Sequence, residues 1–311
     1  MPTASIGKRR LPSPFNMYYE ITGTGPIKLV FINGVGGNLN GWEFQISYFG
    51  NLPDYTVCAF DNRGAGLSDT VAFQRNTTKE MAQDSLELLE EIGWTKNINL
   101  VAVSMGGMIA LELALLKPEM FATLVLTSTT SGRSLIPLYG LINLPRTLIN
   151  KPEKSIEILA GVLFPQSFLE SEAPADFVPL LIPTKEKYTQ RDVFWETMAR
   201  RSTKSRAATL KGYLLQVGAI LTHHVSKERL HILRDSGIEI LVVTGTEDNL
   251  VKPENSEYLA KNLNAKLIVF EDAGHNPHNQ LQKDYNDLLE EFIFESFKKK
   301  NIKIPFFIAN N

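Results

Sequence analysis

INLVAVSMGGMIALELALL, residues 98 to 116, is long and apolar enough to suggest a membrane span, but Asn99, Ser104 and Glu112 interrupt it and Gly106-Gly107 divides it. The first part, Asn99 to Val103, is a short continuous β-type run. The second, Met105 to Leu116, has helical spacing and ends before Pro118. The stretch therefore reads as a buried strand, a sharp turn at Ser104 and a buried helix. At such a turn strand and helix pass closely, so the flanking positions must be small. Ala102 fills that position on the strand side, and Gly106 and Gly107 on the helix side. A serine placed there has its hydroxyl held clear of the backbone at the edge of a sheet.

The same grammar extends in both directions. Lys28 to Ile32, Thr56 to Phe60, Thr123 to Thr127, Glu239 to Thr244 and Lys266 to Phe270 are unbroken apolar runs ending in polar turns. Such runs suit strands covered on both faces. Thr77-Thr78-Lys79-Glu80 predicts a capped helix through Leu86, Leu89 and Ile92 that stops at Gly93. Pro253 opens another through Leu263, and Tyr285 to Phe297 forms a last amphipathic one. Strands alternating with helices predict an α/β fold with a mostly parallel central sheet flanked by helices. From 131 to 230 the alternation fails and the chain becomes helix-rich and proline-punctuated. Residues 1–130 and 231–311 are expected to form the core, and 131–230 an inserted helical lid above the sheet's carboxyl edge, where open α/β sheets bind ligands.

Bulk numbers exclude several classes. The 32 basic residues against 34 acidic give a net charge of -2, without the positive field that nucleic acid or an anionic membrane surface requires. The expected partner is a small-molecule substrate, with no nucleic acid and no integral membrane segment; oligomeric state is not encoded legibly. Cys58 is the only cysteine, so no internal disulfide forms, and its apolar run TVCAF predicts a buried, inert thiol. The start, MPTASIGKRRLPSPF, is basic but is not followed by a secretory apolar region. Cytoplasmic localisation is the default expectation, with a mitochondrial presequence as the alternative. Gly34-Val35-Gly36 and Gly64-Ala65-Gly66 both lack the third glycine of a dinucleotide loop, and no histidine–carboxylate cluster has metal spacing. No cofactor and no metal are expected.

Serine is a weak nucleophile until a base takes its proton. His275 follows a predicted strand and Gly274, which puts it on a loop at the same sheet edge as Ser104. His278 is its rival, and Gly274 favours His275 by allowing a tight approach. The imidazole needs a carboxylate to fix its tautomer. Asp248, after the strand ending VVTG, fits that need better than the adjacent Glu247. The amide of Met105, in the first turn of the helix after Ser104, is a ready donor for an oxyanion. Arg200, Arg201, Lys204 and Arg206 are read as a solvated helix face rather than an anion site, and Lys298-Lys299-Lys300 as a solvated helix end.

Five blocks in order carry a resemblance: FINGVGGNLNGW (31–42), FDNRGAGLSD (60–69), AVSMGG (102–107), GTEDNLVKP (245–253) and EDAGHNPH (271–278). Together they resemble the α/β-hydrolase superfamily in its serine-nucleophile branch, over nearly the whole chain outside the insertion. AVSMGG resembles the G-x-S-x-G elbow with Ala102 in place of the first glycine. The resemblance implies Ser104, Asp248 and His275 as catalytic triad, with Val35 beside Met105 in the oxyanion hole and Asn33, Gly34 and Gly36 in the loop on the substrate side. Asp61 and Arg63 fall in the family's D-x-R loop, which braces structure. Many relatives carry His-Gly where this chain has Asn33-Gly34, and Asn there, with S-M-G-G, resembles enol-lactone-hydrolysing members. The implied activity is cleavage of an ester, lactone or related activated carbonyl of a small-to-medium apolar substrate. A carbon–carbon bond hydrolase, an acyltransferase, or a hydrolase-like receptor with little turnover are the alternatives.

Overall fold

The computed structural model describes residues 2–71, 76–132, 137–206 and 208–302, except for the side chains of Leu141 and Leu148. The predicted lid residues 133–136 and Ala207 lie outside that set. Eight strands form one sheet: β1 (Thr3–Ile6), β2 (Phe15–Gly23), β3 (Ile27–Ile32), β4 (Tyr55–Phe60), β5 (Ile98–Val103), β6 (Phe121–Thr127), β7 (Glu239–Gly245) and β8 (Lys266–Phe270). Their spatial order is β1-β2-β4-β3-β5-β6-β7-β8. β1 and β2 pair antiparallel, as do β2 and β4, and every later pair is parallel. The six predicted strands are all present. The two at the antiparallel edge are additional.

The helices in chain order are α1 (Glu43–Gly50), α2 (Thr78–Glu91), α3 (Met105–Leu116), α4 (Leu138–Ile149), α5 (Pro152–Leu163), α6 (Gln166–Glu170), α7 (Gln190–Lys204), α8 (Leu210–Thr222), α9 (Lys227–Arg234), α10 (Pro253–Leu263), α11 (Pro277–Gln280) and α12 (Gln282–Lys299). Among the described residues no helix is long and apolar enough to cross a membrane. The 98–116 stretch is β5, a turn and α3. Thr77 caps α2 as predicted, its side chain accepting from the Glu80 amide.

Alternation along the strands sorts side chains to two faces. Val30, Ile32, Leu100 and Ala102 join one core layer with Met105 and Ile109 of α3 and Met81 of α2. Leu29, Phe31, Val101 and Val103 join the other with Phe49 of α1 and Leu289 of α12. β5 lies between β3 and β6 with every residue buried, which explains its uninterrupted apolar run. Ala102 is fully enclosed, in register with Ile32 and Leu126. Its methyl belongs to the core layer, so the departure from glycine adds packing to the strand side of the turn.

Helices α4 to α8 lie between β6 and β7 in the chain. The segment's exit and return are joined to each other: Gly132 and His224 form an antiparallel bridge, and the Val225 amide donates to Ser131 O at 2.7 Å. α9, which runs across residue 230, packs on α3 and α10.

Candidate active site

Ser104 stands where β5 ends and α3 begins, with φ 56° and ψ −124°. A serine at positive φ is uncommon and costs about 1 kcal/mol or more, so surrounding contacts must hold it. The Ser104 amide donates to Thr127 O at 2.9 Å, and Thr129 Oγ1 donates to Ser104 O at 2.7 Å. The glycines on the helix side have no room for a side chain. A Cβ on Gly106 would collide with the Ile32 carbonyl oxygen, and one on Gly107 would lie 2.6 Å from the Thr129 side chain. This crowding is the physical content of the small-residue pattern around Ser104.

The loop after β3 comes against the turn. A Cβ on Gly34 would stand 3.1 Å from Ser104 Cβ and 3.5 Å from its Oγ, so Gly34 leaves room for the hydroxyl. Asn33 is buried, its side-chain amide donating to Asn38 O, while Asn62 Nδ2 donates to Asn33 O at 3.0 Å. Its carboxamide fills the space that Gly37 and Gly41 leave open: a Cβ on Gly41 would lie 2.7 Å from Asn33 Oδ1. Asn33 braces the loop from inside. Neither the Val35 nor the Met105 amide donates to another group among the described residues, while Gly36 N–H donates to Gln216 Oε1 at 2.7 Å. Val35 and Met105 are thus unclaimed donors beside Ser104.

His275 lies on the loop after β8 and Asp248 on the loop after β7, both at the carboxyl edge where β5 delivers Ser104. Both are buried. His275 Nδ1 lies 2.9 Å from each Asp248 oxygen. Asp248 Oδ1 also accepts from the amides of Leu250 at 2.8 Å and Val251 at 2.9 Å, which fixes the carboxylate in place. Nδ1 is therefore the donor to Asp248, and Nε2 is the ring nitrogen left to exchange a proton. No hydrogen bond joins Ser104 to His275 among the described residues; nucleophile–base contacts are often long in substrate-free sites. Glu247 is exposed; only its backbone joins in, the amide donating to Ala273 O of the histidine loop at 2.9 Å.

His278, the rival base, is buried against Trp42, the rings tilted by 33° with centroids 4.3 Å apart, and its carbonyl accepts from Gln45 Nε2 at 2.9 Å. Burial, with smaller contributions from His275 and Arg201, pushes its imidazole down to about 3. Burial likewise takes His223 down to about 4, with Thr78 Oγ1 at 2.8 Å from its Nδ1. Both rings are neutral in the fold and regain an ordinary value near 6.5 on unfolding. Below pH 6.5 the unfolded chain binds the extra protons, so stability falls with acidification down to about pH 4 for His223 and about pH 3 for His278. Each ring is expected to remove about 1 kcal/mol per pH unit across its window. Urea denaturation between pH 7 and pH 4 measures it, and His278→Phe should flatten the slope.

The D-x-R loop braces the site from behind. Asp61 accepts from the amides of Leu39 at 2.7 Å and Leu67 at 2.8 Å, tying the loops after β3 and β4 together. Burial pushes its carboxyl up to about 6 against the pull of those two amides. Arg63 is buried and binds Asp84 of α2 through Nε and Nη2, with Arg10 on the same carboxylate. Asp84→Ala removes the buried carboxylate that Arg63 and Arg10 share and is expected to cost about 3–5 kcal/mol in a urea denaturation. Cys58 is buried, and burial alone pushes its thiol up to about 12, so it is inert.

Arg200 and Arg201 differ from expectation. Both bind Glu43 Oε1, at 2.9 and 3.1 Å, which ties α7 to the start of α1, while Lys204 and Arg206 are exposed as expected. The lysine tail is also engaged: Lys299 pairs with Glu239 at 2.8 Å, and Lys300 Nζ donates to Ala122 O at 2.7 Å. Gln216 of α8 has no counterpart among the predicted site residues. Its signal was a lone carboxamide in the apolar run LLQVGAIL, on the buried helix face it shares with Gly212 and Ala219. The segment between β6 and β7 also reaches the histidine loop. A Cβ on Gly274 would lie 2.9 Å from Pro165 Cδ and 3.0 Å from Phe164 Cα. Among the described residues no group of three or more His, Cys, Asp or Glu side chains is placed to hold a metal ion.

A family model described as the alpha/beta hydrolase fold matches residues 28–280. The proposed carbamate hydrolase RutD of Pseudomonas syringae pv. syringae is 25% identical over 257 residues, spanning 79% of this chain and 86% of that one. A thermophilic esterase from Thermogutta terrifontis superposes with a TM-score of 0.73 at 20% identity, covering 95% of this chain and 99% of its own. The enol-lactonase from Burkholderia xenovorans LB400 gives 0.72 at 18% identity, covering 94% of this chain and 100% of its own.

Proposed function

The chain belongs to the α/β-hydrolase fold family, and from that premise we propose that it is a serine hydrolase cleaving a carboxylic ester or lactone of small-to-medium apolar substrates. One observation carries the reading: His275 Nδ1 is bound to both oxygens of a carboxylate that two amides hold fixed, at the sheet edge that presents Ser104 at positive φ. Ser104 Oγ attacks the carbonyl carbon as His275 Nε2 takes its proton. The amides of Val35 and Met105 receive the negative charge that forms on the carbonyl oxygen. His275 returns the proton to the leaving oxygen, the C–O bond breaks, and an alcohol departs from the acyl-enzyme. In a lactone the alcohol stays tethered to the acyl group. Water then gives a proton to His275 and attacks the acyl carbon. Ser104 leaves with that proton, and the acid is released. Asp248 keeps the imidazole in the required tautomer and stabilises its cation.

In this reading residues 131–230 are the lid. Phe164, which lies against Gly274 of the histidine loop, packs at a tilt on Phe168 and edge-on with Phe194, with centroids 5.4 and 5.6 Å apart, which supports an apolar roof. The relatives named as esterase and enol-lactonase fit the same carbonyl chemistry. An alkyl fluorophosphonate should label Ser104 and abolish turnover of p-nitrophenyl acetate. A folded protein that neither takes the label nor hydrolyses short esters or lactones overturns the reading in favour of a binding protein.

A further inference from the structure

The two loops behind Ser104 come from different strands, yet one side chain of the inserted segment joins them. Gln216 of α8 is fully buried. Its Oε1 accepts from Gly36 N–H at 2.7 Å and its Nε2 donates to Arg63 O at 2.9 Å. The approach requires the absence of side chains on both sides. A Cβ on Gly64 would lie 2.9 Å from Gly212 Cα, and one on Gly36 would lie 3.2 Å from the Tyr213 ring. Gly36 has φ +68°, so the loop reverses direction at the residue whose amide Gln216 holds.

We propose that Gln216 is a positioning residue: by bridging Gly36 to Arg63 it sets the peptide plane after Val35 and so aims the Val35 amide at the reacting carbonyl. The inference rests on the hydrolase reading above. Its logic is a matter of what each amide is free to do. With Gly36 N–H committed to Gln216, the loop cannot turn that donor toward the substrate, and Val35 N–H is the one left to face it. The far end of the bridge is firm, because the Arg63 guanidinium is itself held by Asp84. The bridge also couples lid to loop, since α8 lies between β6 and β7 in the chain while Gly36 follows β3.

The side chain must accept at one end and donate at the other. Leucine does neither. An ionised glutamate accepts only, and sets its charge against the Arg63 carbonyl. A protonated glutamate does both. Two readouts separate the inference from the reading beneath it. Amide hydrogen exchange reports whether Gln216 holds the loop, whatever the protein catalyses: Q216L should exchange faster over residues 33–39 while β5 and β6 stay protected. Hydrolysis of p-nitrophenyl acetate reports whether holding matters. Misplacing a donor by about an ångström costs up to roughly 100-fold, so Q216L should lose about 10–100-fold in kcat with little change in KM. In Q216E the ratio of its kcat to that of the unaltered protein, taken at each pH so that pH effects common to both cancel, should climb as pH falls and the introduced carboxyl protonates. If Q216L exchanges normally over 33–39, or keeps its kcat, or if the Q216E ratio is flat with pH, the inference is wrong. If the unaltered protein shows neither turnover nor labelling, the hydrolase reading fails, and with it the role in aiming Val35. The exchange result then decides only whether the bridge holds the loop.

Discussion

Ser104→Ala is expected to lower kcat for p-nitrophenyl acetate by about 10⁶-fold and to abolish fluorophosphonate labelling. A residual rate above water, from the oxyanion amides and binding, should survive. The loss should come without unfolding. The contacts that hold the turn, Ser104 N–H to Thr127 O and Thr129 Oγ1 to Ser104 O, run through the backbone and persist in alanine. The partly exposed hydroxyl is no part of the core, so stability should change by less than about 1 kcal/mol. An alanine variant within tenfold of the original rate would place the chemistry elsewhere.

Asp248→Asn should cost about 10⁴-fold in kcat. The carboxamide can still accept from Leu250 and Val251, so the loop stays in place. Its NH₂ group, however, then faces His275 Nδ1, where only an acceptor suits a protonated nitrogen. The ring responds by moving its proton to Nε2, the position that must be bare to receive one from Ser104. Glu247→Gln, at the exposed neighbour, is the control and should leave kcat within twofold or so of the original. Steady-state kinetics at pH 8 distinguishes the two carboxylates, and a large loss in the glutamate variant instead would reverse the assignment.

The parts of the molecule that were legible in the sequence share one physical property: their side chains meet one kind of environment. β3 to β7 were readable because strands covered on both faces become continuous apolar runs, while β8, at the sheet's edge with Val269 41% exposed, keeps an apolar run without that cover. β1, with four residues, and β2, whose burial changes from residue to residue and leaves Ile21 45% exposed, carry no such run. The turn at Ser104 was legible because crowding by Ile32, Asn33 and Thr129 forbids side chains at Gly106 and Gly107. The Asp248 to His275 contact was legible from two loops following two predicted strands. Contacts made by the inserted segment were not. Nothing local in Arg200, Arg201 or Gln216 says that Glu43, Gly36 and Arg63 await them, because those meetings depend on where the fold brings α7 and α8. Asn33 lies between these cases. Its position beside Gly34 was visible, while its bracing of Gly37 and Gly41 from within the loop needed the fold.

The bridge between Gly132 and His224, with Val225 N–H on Ser131 O, closes a loop of roughly ninety residues at its neck. Loop-closure entropy grows only logarithmically, by about 0.6 kcal/mol per doubling of length, so stretching a ten-residue connection to this size costs about 2 kcal/mol. The neighbouring strands β6 and β7 are in register from Thr123 opposite Glu239 to Thr127 opposite Val243, independently of what hangs from the neck. In the lid reading proposed above, substrate range is thereby uncoupled from foldability: the sheet tolerates a longer, shorter or differently lined enclosure for a small entropic change, provided it returns to the same neck.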